Sequence, residues 1–512
     1  MSGESFSPPP RVDVNRMKDA EFRQASEARA DLRELLTALS RLREEVDADG
    51  HALIESWGGP FSTAFAPAAE NLAHYLALRR RDLSDLQSRL SAFGLSSLGR
   101  SEAKVIEALD ALLATLRRLC GEADAPYPTP AAMRAGEDAL RAARDLIFGA
   151  VPTTPHAVVM VTLPSEAASE PELIRRLMEA GMGCARINCA HDDAAAWKAM
   201  IANIRASERA LGRNCRVLMD LAGPKCRIEQ LRAPEKLRLY RGDRFAMVAT
   251  LDPRAAGPVA IQPSFPETIG QLAPGAEVWI NDGKIGARVV GASAGAVELE
   301  VFSARGKGER LKVEKGLNFP TTDLRLPPLT PKDFRDLDFV AAEADLVGFS
   351  FVQETADVDL LQDHLAARRG ALPKQTIVLK IETPLAVRNL PRLILRSAQH
   401  HPTAVMIARG DLAVELGFAR LSEMQEEILW LCEAAHVPVI WATQVLDQFI
   451  KDGAPSRAET TDAAMAQRAE CVMLNKGPFL AEAVTFLRDV LARMDRHQSK
   501  KFARFTPLRA WD

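Results

Sequence analysis

Residues 376–412 read TIVLKIETPLAVRNLPRLILRSAQHHPTAVMIARGDL: an apolar run at 376–381, a helix-length stretch, a second apolar run at 404–408, and a polar cluster closing each run. Runs this apolar suit parallel strands buried on both faces, and the spacing between them is that of a strand-helix-strand unit. Outward from this unit, further runs of the same kind stand at 157–161, 184–187, 215–219, 346–349, 437–441 and 471–474. Eight strands separated by helices predict a TIM (β/α)8 barrel, an α/β fold, over residues 151–228 and 329–496.

The gap between the third and fourth runs is too long for one helix. Residues 229–328 are rich in Val, Gly and Pro, with alternating pieces at 236–240, 244–248, 277–280 and 297–301, and predict an inserted β domain, a small barrel or sandwich. Residues 1–150 predict an α-helical N-terminal extension, with helical periodicity from about residue 19 to 146 and breaks at 57–60 and 126–130. Within it, 71–81 reads as a solvated helix with one buried stripe, ending on Arg79, Arg80 and Arg81. A basic tail is expected at 497–512.

At 512 residues the chain exceeds what one core organises. Lys and Arg total 65 against 68 Asp and Glu, a formal charge of -3, so no global field recruits nucleic acid. Residues 1–10 lack a signal-peptide pattern, and no apolar run reaches membrane-spanning length. A cytoplasmic protein without a membrane partner is the expectation. The seven cysteines form no CxxC pair and read as reduced core thiols.

Such barrels carry their chemistry at the C-terminal ends of the strands, where the polar residues of this chain collect. Run two is followed by Arg186, Asn188 and His191, run three by Asp220, Lys225 and Arg227, and run four by Ser350 and Phe351. The later runs add Lys380 and Glu382, Arg409 and Asp411, Thr443 and Gln444, then Asn475 and Lys476. Glu382 and Asp411 end adjacent strands, so their carboxylates can meet at one divalent ion, and hard oxygen ligands favour Mg²⁺. Lys380 lies two residues from Glu382 and points to the same face, as a transferring phosphoryl group requires. A structural ion network of the same residues is the equal alternative on these grounds.

The segments Lys380-Ile381-Glu382, Ala408-Arg409-Gly410-Asp411-Leu412, Ala442-Thr443-Gln444 and Pro455-Ser456-Arg457-Ala458-Glu459 closely resemble the central motifs of pyruvate kinase. So do Arg186-Ile187-Asn188-Cys189-Ala190-His191, Gly223-Pro224, Asn281-Asp282-Gly283 and Lys315-Gly316, in order, over about 157–494. The resemblance implies that phosphoenolpyruvate and ADP become pyruvate and ATP, in glycolysis. It implies that Lys380 stabilises the phosphoryl group and enolate, that Glu382 and Asp411 hold Mg²⁺ or Mn²⁺, and that Thr443 assists protonation. Arg186 and Arg227 would contact phosphate, with Gly410, Asp411 and Thr443 completing the substrate site. Asn188, His191, Arg227 and Lys315 would lie on the nucleotide side. Family dimers meet through the barrel, so a homodimer is expected.

Several departures stand out. A serine and a threonine of the family's monovalent-cation site match Ala190 and Leu221, and Lys225 replaces a glutamate of K⁺-dependent members, so Lys225 near Asp220 is expected to substitute for K⁺. The last loop reads Asn475-Lys476-Gly477-Pro478 instead of SerGlyGluThrAla, Gln353 replaces an arginine, and Ser456 replaces a threonine. The insert, with Asp282 in a turn, resembles the family's small β-barrel lid domain, and the family's effector-binding C-terminal domain is expected to be missing after residue 496. Two other readings remain open: a metal-dependent lyase or aldolase on pyruvate-like substrates, and a catalytically silent regulator binding phosphoenolpyruvate or nucleotide.

Overall fold

The computed structural model describes residues 14–58, 61–150, 155–370, 372–500 and 502–503, of which 14–26 and 502–503 by backbone alone. Residues 1–10 and most of the expected tail at 497–512 lie outside the described residues. The chain divides into two compact units, one formed by residues up to Gly59 together with Glu70–Gly136, the other by the remainder.

The larger unit is a closed barrel of eight parallel strands: Val158–Thr162, Met182–Asn188, Arg216–Asp220, Leu346–Phe349, Thr376–Ile381, Thr403–Ala408, Val439–Val445 and Cys471–Leu474. Each pairs with its neighbour in chain order, and the eighth closes on the first. The fourth, fifth, sixth and eighth are buried along their whole length, which is why the sequence shows continuous apolar runs there. Val158, Cys184, Leu218, Val378, Ile440 and Cys471 share the barrel core with Ile147 and Phe148, at the end of helix Ala132–Phe148.

Register sets what the barrel presents at its C-terminal rim. Thr162 pairs with Arg186, Asn188 with Asp220, and Asp220 with Gly348. A Cβ at Gly348 would stand 2.5 Å from Asp220 Oδ1, so glycine there makes room for a buried carboxylate. The rim helices begin with ordered caps: Thr383 accepts from Ala386 N–H, Thr330 and Asp333 form a capping box, and Ser456 forms another with Glu459. The serine that replaces threonine at 456 thus keeps the capping hydroxyl.

The insert after the third strand forms one seven-stranded sheet, ordered Leu317–Asn318, Glu277–Ile280, Ile285–Ser293, Ala296–Ala304, Arg244–Val248, Ala260–Pro263 and Ile228–Arg232. Its two edge strands approach through a bridge between Arg227 and Gly316, with Ile228 N–H donating to Lys315 O at 2.9 Å. Ile228, Met247, Val278, Leu299 and Val301 fill its interior.

The smaller unit is helical, with Val14–Ser56, Ala66–Arg79, Ser84–Ala92 and Val105–Leu119 as its main elements. Leu35, Leu39 and Val46 of the first helix are buried, as are Leu109, Leu112 and Leu116 of the fourth. The helix expected at 71–81 to be solvated outside one stripe is instead buried on nearly every side, through Asn71, Leu72, Ala73, His74, Tyr75, Ala77 and Leu78. Asn71 is buried because its amide works: it donates to Glu102 O at 2.7 Å and accepts from Val105 N–H at 2.9 Å. Arg81 lies on Asp49 at 2.7 Å and Glu45 at 3.4 Å, which accounts for its charge. All seven cysteines are free, six of them buried. No helix of the described residues is long and apolar enough to cross a membrane.

Candidate active site

The rim is organised around Asp220, 1% exposed at the end of the third strand. One oxygen, Oδ2, accepts from Arg186 Nε at 2.9 Å and Nη2 at 2.5 Å, while Lys380 Nζ lies 3.2 Å from Oδ1. Burial alone would push this carboxyl up, but Lys380 and Arg186 outweigh burial and hold it below the usual carboxylate range. Arg186 is fixed from its other side by Nη1 donating to Thr162 Oγ1 at 3.0 Å.

Lys380 is held by one hydroxyl and two carboxylates. Its ammonium donates to Ser350 Oγ at 2.6 Å and lies 3.2 Å from Asp220 and 3.3 Å from Glu382. Burial favours the neutral amine, yet the carboxylates of Asp220 and Glu382 dominate and raise its pKa, so Lys380 stays charged. Ser350 is oriented in turn by donating to Leu221 O at 2.7 Å.

Glu382 accepts from Phe351 N–H at 2.6 Å and is 3% exposed. Burial pushes its carboxyl above the ordinary range, Lys380 opposes this, and the nearby charge of Asp411 adds to it. Glu382 and Asp411 together form an all-oxygen donor pair, which fits a hard divalent ion that would share Asp411 with the ammonium of Lys225. Asp411 opens helix Arg409–Leu416 directly after the sixth strand.

The expectation that set Lys225 near Asp220 is corrected in its partner: the ammonium lies on both oxygens of Asp411, at 2.7 and 2.9 Å. The physical reason is that Asp220 is already filled by Arg186 and Lys380, whereas Asp411 offers an unneutralised carboxylate. Leu221, which stands at the missing threonine, is buried and apolar, and Ala190 offers no side-chain oxygen.

Thr443 is held in left-handed backbone at φ 66°, as is Gln444 at 58°, a conformation costly for a β-branched residue. Its Oγ1 accepts from Gly410 N–H at 2.7 Å, which leaves its own O–H free to donate. The turn is secured by Arg409, which donates to Ala442 O at 2.9 Å and Thr443 O at 2.7 Å while stacking on Trp441 at 4.5 Å. Asp462 completes the clamp at 2.9 Å from Arg409 Nη2.

The residues expected on the nucleotide side form a looser group. His191 is pulled below its usual pKa by burial first, then by the charges of Lys476, Arg227 and Arg186, against the opposing charge of Asp192. Lys476 of the altered last loop therefore belongs to the rim. Asn188 Oδ1 accepts from Ala190 N–H at 3.1 Å, and Arg227 Nη1 donates to Glu314 O at 3.1 Å, next to Lys315. Lys315 is half-buried at the foot of the lid.

Sequence reasoning missed Thr162, Asp462 and Glu415. Thr162 ends the first strand, so the rule that collected the other rim residues could have found it. Glu415 lies one turn beyond Asp411 and accepts from two lid groups, Asn318 Nδ2 at 2.9 Å and Phe319 N–H at 3.3 Å. Burial pushes its carboxyl up to about 7 against those two donors. It borders a cleft of about 600 Å³, open mouth included, lined also by Lys225, Asn318, Phe351, Gln353 and Thr383. Here Gln353, in place of arginine, donates to Leu324 O at 3.1 Å and accepts from Thr383 Oγ1 at 3.2 Å.

Residues 155–484 match the family model described as pyruvate kinase, barrel domain. A pyruvate kinase of Agrobacterium vitis is 33% identical over 350 residues, covering 66% of this chain and 69% of the relative. One from Encephalitozoon cuniculi is 33% identical over 348 residues, 65% of this chain and 75% of the relative. One from Thermococcus litoralis is 30% identical over 363 residues, 70% and 73% of the two chains. With the barrel, its insert and the polar rim accounted for by that match, the chain belongs to the pyruvate kinase family of phosphotransferases.

Proposed function

We propose that the protein transfers the phosphoryl group of phosphoenolpyruvate to ADP, giving pyruvate and ATP. The observation that supports this most is Lys380, buried and charged, within 3.3 Å of Glu382 and 3.2 Å of Asp220. A phosphoryl group in transfer spreads charge over its oxygens, and preorganised cations in a water-poor site stabilise that charge without reorganising. Arg186 binds the phosphate from one side and Lys380 follows the charge onto the enolate oxygen. A divalent ion, Mg²⁺ or Mn²⁺ held by Glu382 and Asp411, would supply positive charge to substrate oxygens when bound.

Thr443 then serves the second half of the reaction. With Gly410 N–H on its oxygen, its hydroxyl proton is available to a water that protonates C3 of the enolate. His191, Asn188, Arg227, Lys315 and Lys476 offer donors and charge for ADP. The lid, latched to helix Arg409–Leu416 by Glu415, would exclude water and favour transfer over hydrolysis. A place in glycolysis follows only if this turnover is observed.

Coupled assay of pyruvate formation with Mg²⁺ should show turnover with at least one nucleoside diphosphate, and failure with all common ones would overturn the reading. Lys380→Met should lower kcat by about 10²-fold or more; activity within about twofold of wild type, far short of that scale, would remove Lys380 from the chemistry. Thr443→Ala should slow exchange of C3 hydrogens of labelled pyruvate more than phosphoryl transfer, measured in parallel, and equal losses would leave Thr443 no special part.

Turnover is further proposed to need no K⁺. Lys225 places a fixed ammonium at Asp411, 2.7 Å away, while Ala190 and Leu221 supply no side-chain oxygens for a monovalent ion. Near-full activity is expected in buffer whose only monovalent cation is a bulky organic one, and Lys225→Glu should impair turnover. A many-fold rise of wild-type activity on adding KCl at constant ionic strength would contradict this.

A further inference from the structure

Asp47 and His51 lie one turn apart on helix Val14–Ser56, and His74 comes from helix Ala66–Arg79. Each offers a donor atom within 4.8 Å of the other two. His74 is 3% exposed, and among the described residues its Nε2 has no hydrogen-bond partner. A buried imidazole nitrogen aimed at a carboxylate without bonding it is an unusual expense for a helical unit to retain. Its place is also made deliberately: a Cβ at Gly50 would stand 2.3 Å from His74 Cδ2, so only glycine at 50 admits the ring.

We propose that Asp47, His51 and His74 form a binding site for a divalent transition ion of the Zn²⁺ type, outside the catalytic barrel. In a tetrahedral site with ligand bonds of about 2.0–2.1 Å, donor atoms are separated by about 3.3–3.5 Å. Asp47 Oδ1 lies 3.4 Å from His74 Nε2 and 3.6 Å from His51 Nδ1, close to two of those edges. The remaining edge would close by a turn of the His51 ring, which is 61% exposed. His51 Nδ1 lies 2.8 Å from Asp47 O, a contact that keeps the ring on the carboxylate's side of the helix and that the ion would replace, since the nitrogen must shed the proton of that bond to ligate.

Arg43 takes the other carboxylate oxygen of Asp47, Oδ2, at 2.8 Å and is itself tied to Asp110 at 3.0 Å. Oδ1 is thereby turned toward the two histidines. Two nitrogens and one oxygen select Zn²⁺ or Co²⁺ over Mg²⁺, with water to complete four-fold coordination. The ion would pin the first helix to the second.

The full-length protein, stripped with chelator, is titrated with Co²⁺ and read by visible absorption, because four-coordinate N/O sites absorb far more strongly than six-coordinate oxygen sites such as the barrel carboxylates. Wild type should develop the strong band, lose it to added Zn²⁺, and bind one equivalent of Zn²⁺ more than His51→Ala. His51→Ala and Asp47→Asn should each lack the band and bind Zn²⁺ at least about tenfold more weakly, with unchanged circular dichroism in the absence of metal. No band in wild type, or an undiminished band in His51→Ala, would overturn the site and leave His74 as a partner of Asp47 alone.

Discussion

The structure of the rim depends on one buried carboxylate holding two cations. Asp220, 1% exposed, cannot remain charged in the barrel unless positive charge is brought to it, and Arg186 and Lys380 cannot sit side by side unless their repulsion is offset. Each requirement satisfies the other. Breaking such a pairing by removing one member leaves an uncompensated buried charge, so the geometry of the cations is over-determined. Gly348, Thr162 and Ser350 make sense as supports of this arrangement, by giving Asp220 room, steering Arg186 and orienting Lys380.

A second carboxylate sets the adjoining region. Asp411 opens a helix, faces Glu382 across adjacent strands, and draws the ammonium of Lys225 from the far side of the barrel, 186 residues away in sequence. The same helix carries Glu415 to the lid strand. Whatever moves Asp411 is therefore coupled through one short rigid element to the lid, which is the physical basis for linking occupancy of the site to closure.

Much of this was legible in the sequence because strands impose a simple parity. Lys380 and Glu382 share a face by being two apart, and uninterrupted apolar runs identified seven of the eight barrel strands to within two residues, the seventh running on to Val445 where 441 was expected. What was not legible depends on register between distant segments. Whether Lys225 meets Asp220 or Asp411 is decided by which carboxylate is already neutralised, and no local pattern carries that information. Residues 71–81 misled for a related reason: Asn71 and His74 read as solvated polar residues, yet both are buried, one fully bonded within its unit and the other turned toward Asp47. Polarity signals exposure only when no partner waits in the fold.

On the proposed function, the charge of Asp220, and not its shape alone, holds Arg186 and Lys380 ready for a phosphoryl group. Asp220→Asn keeps the size of the side chain and removes the charge. Single-turnover phosphoryl transfer from phosphoenolpyruvate, measured beside circular dichroism to confirm folding, tests it most directly. The account predicts a folded variant with a transfer rate lower by about 10²-fold or more, whereas a folded variant with an unchanged rate would contradict it.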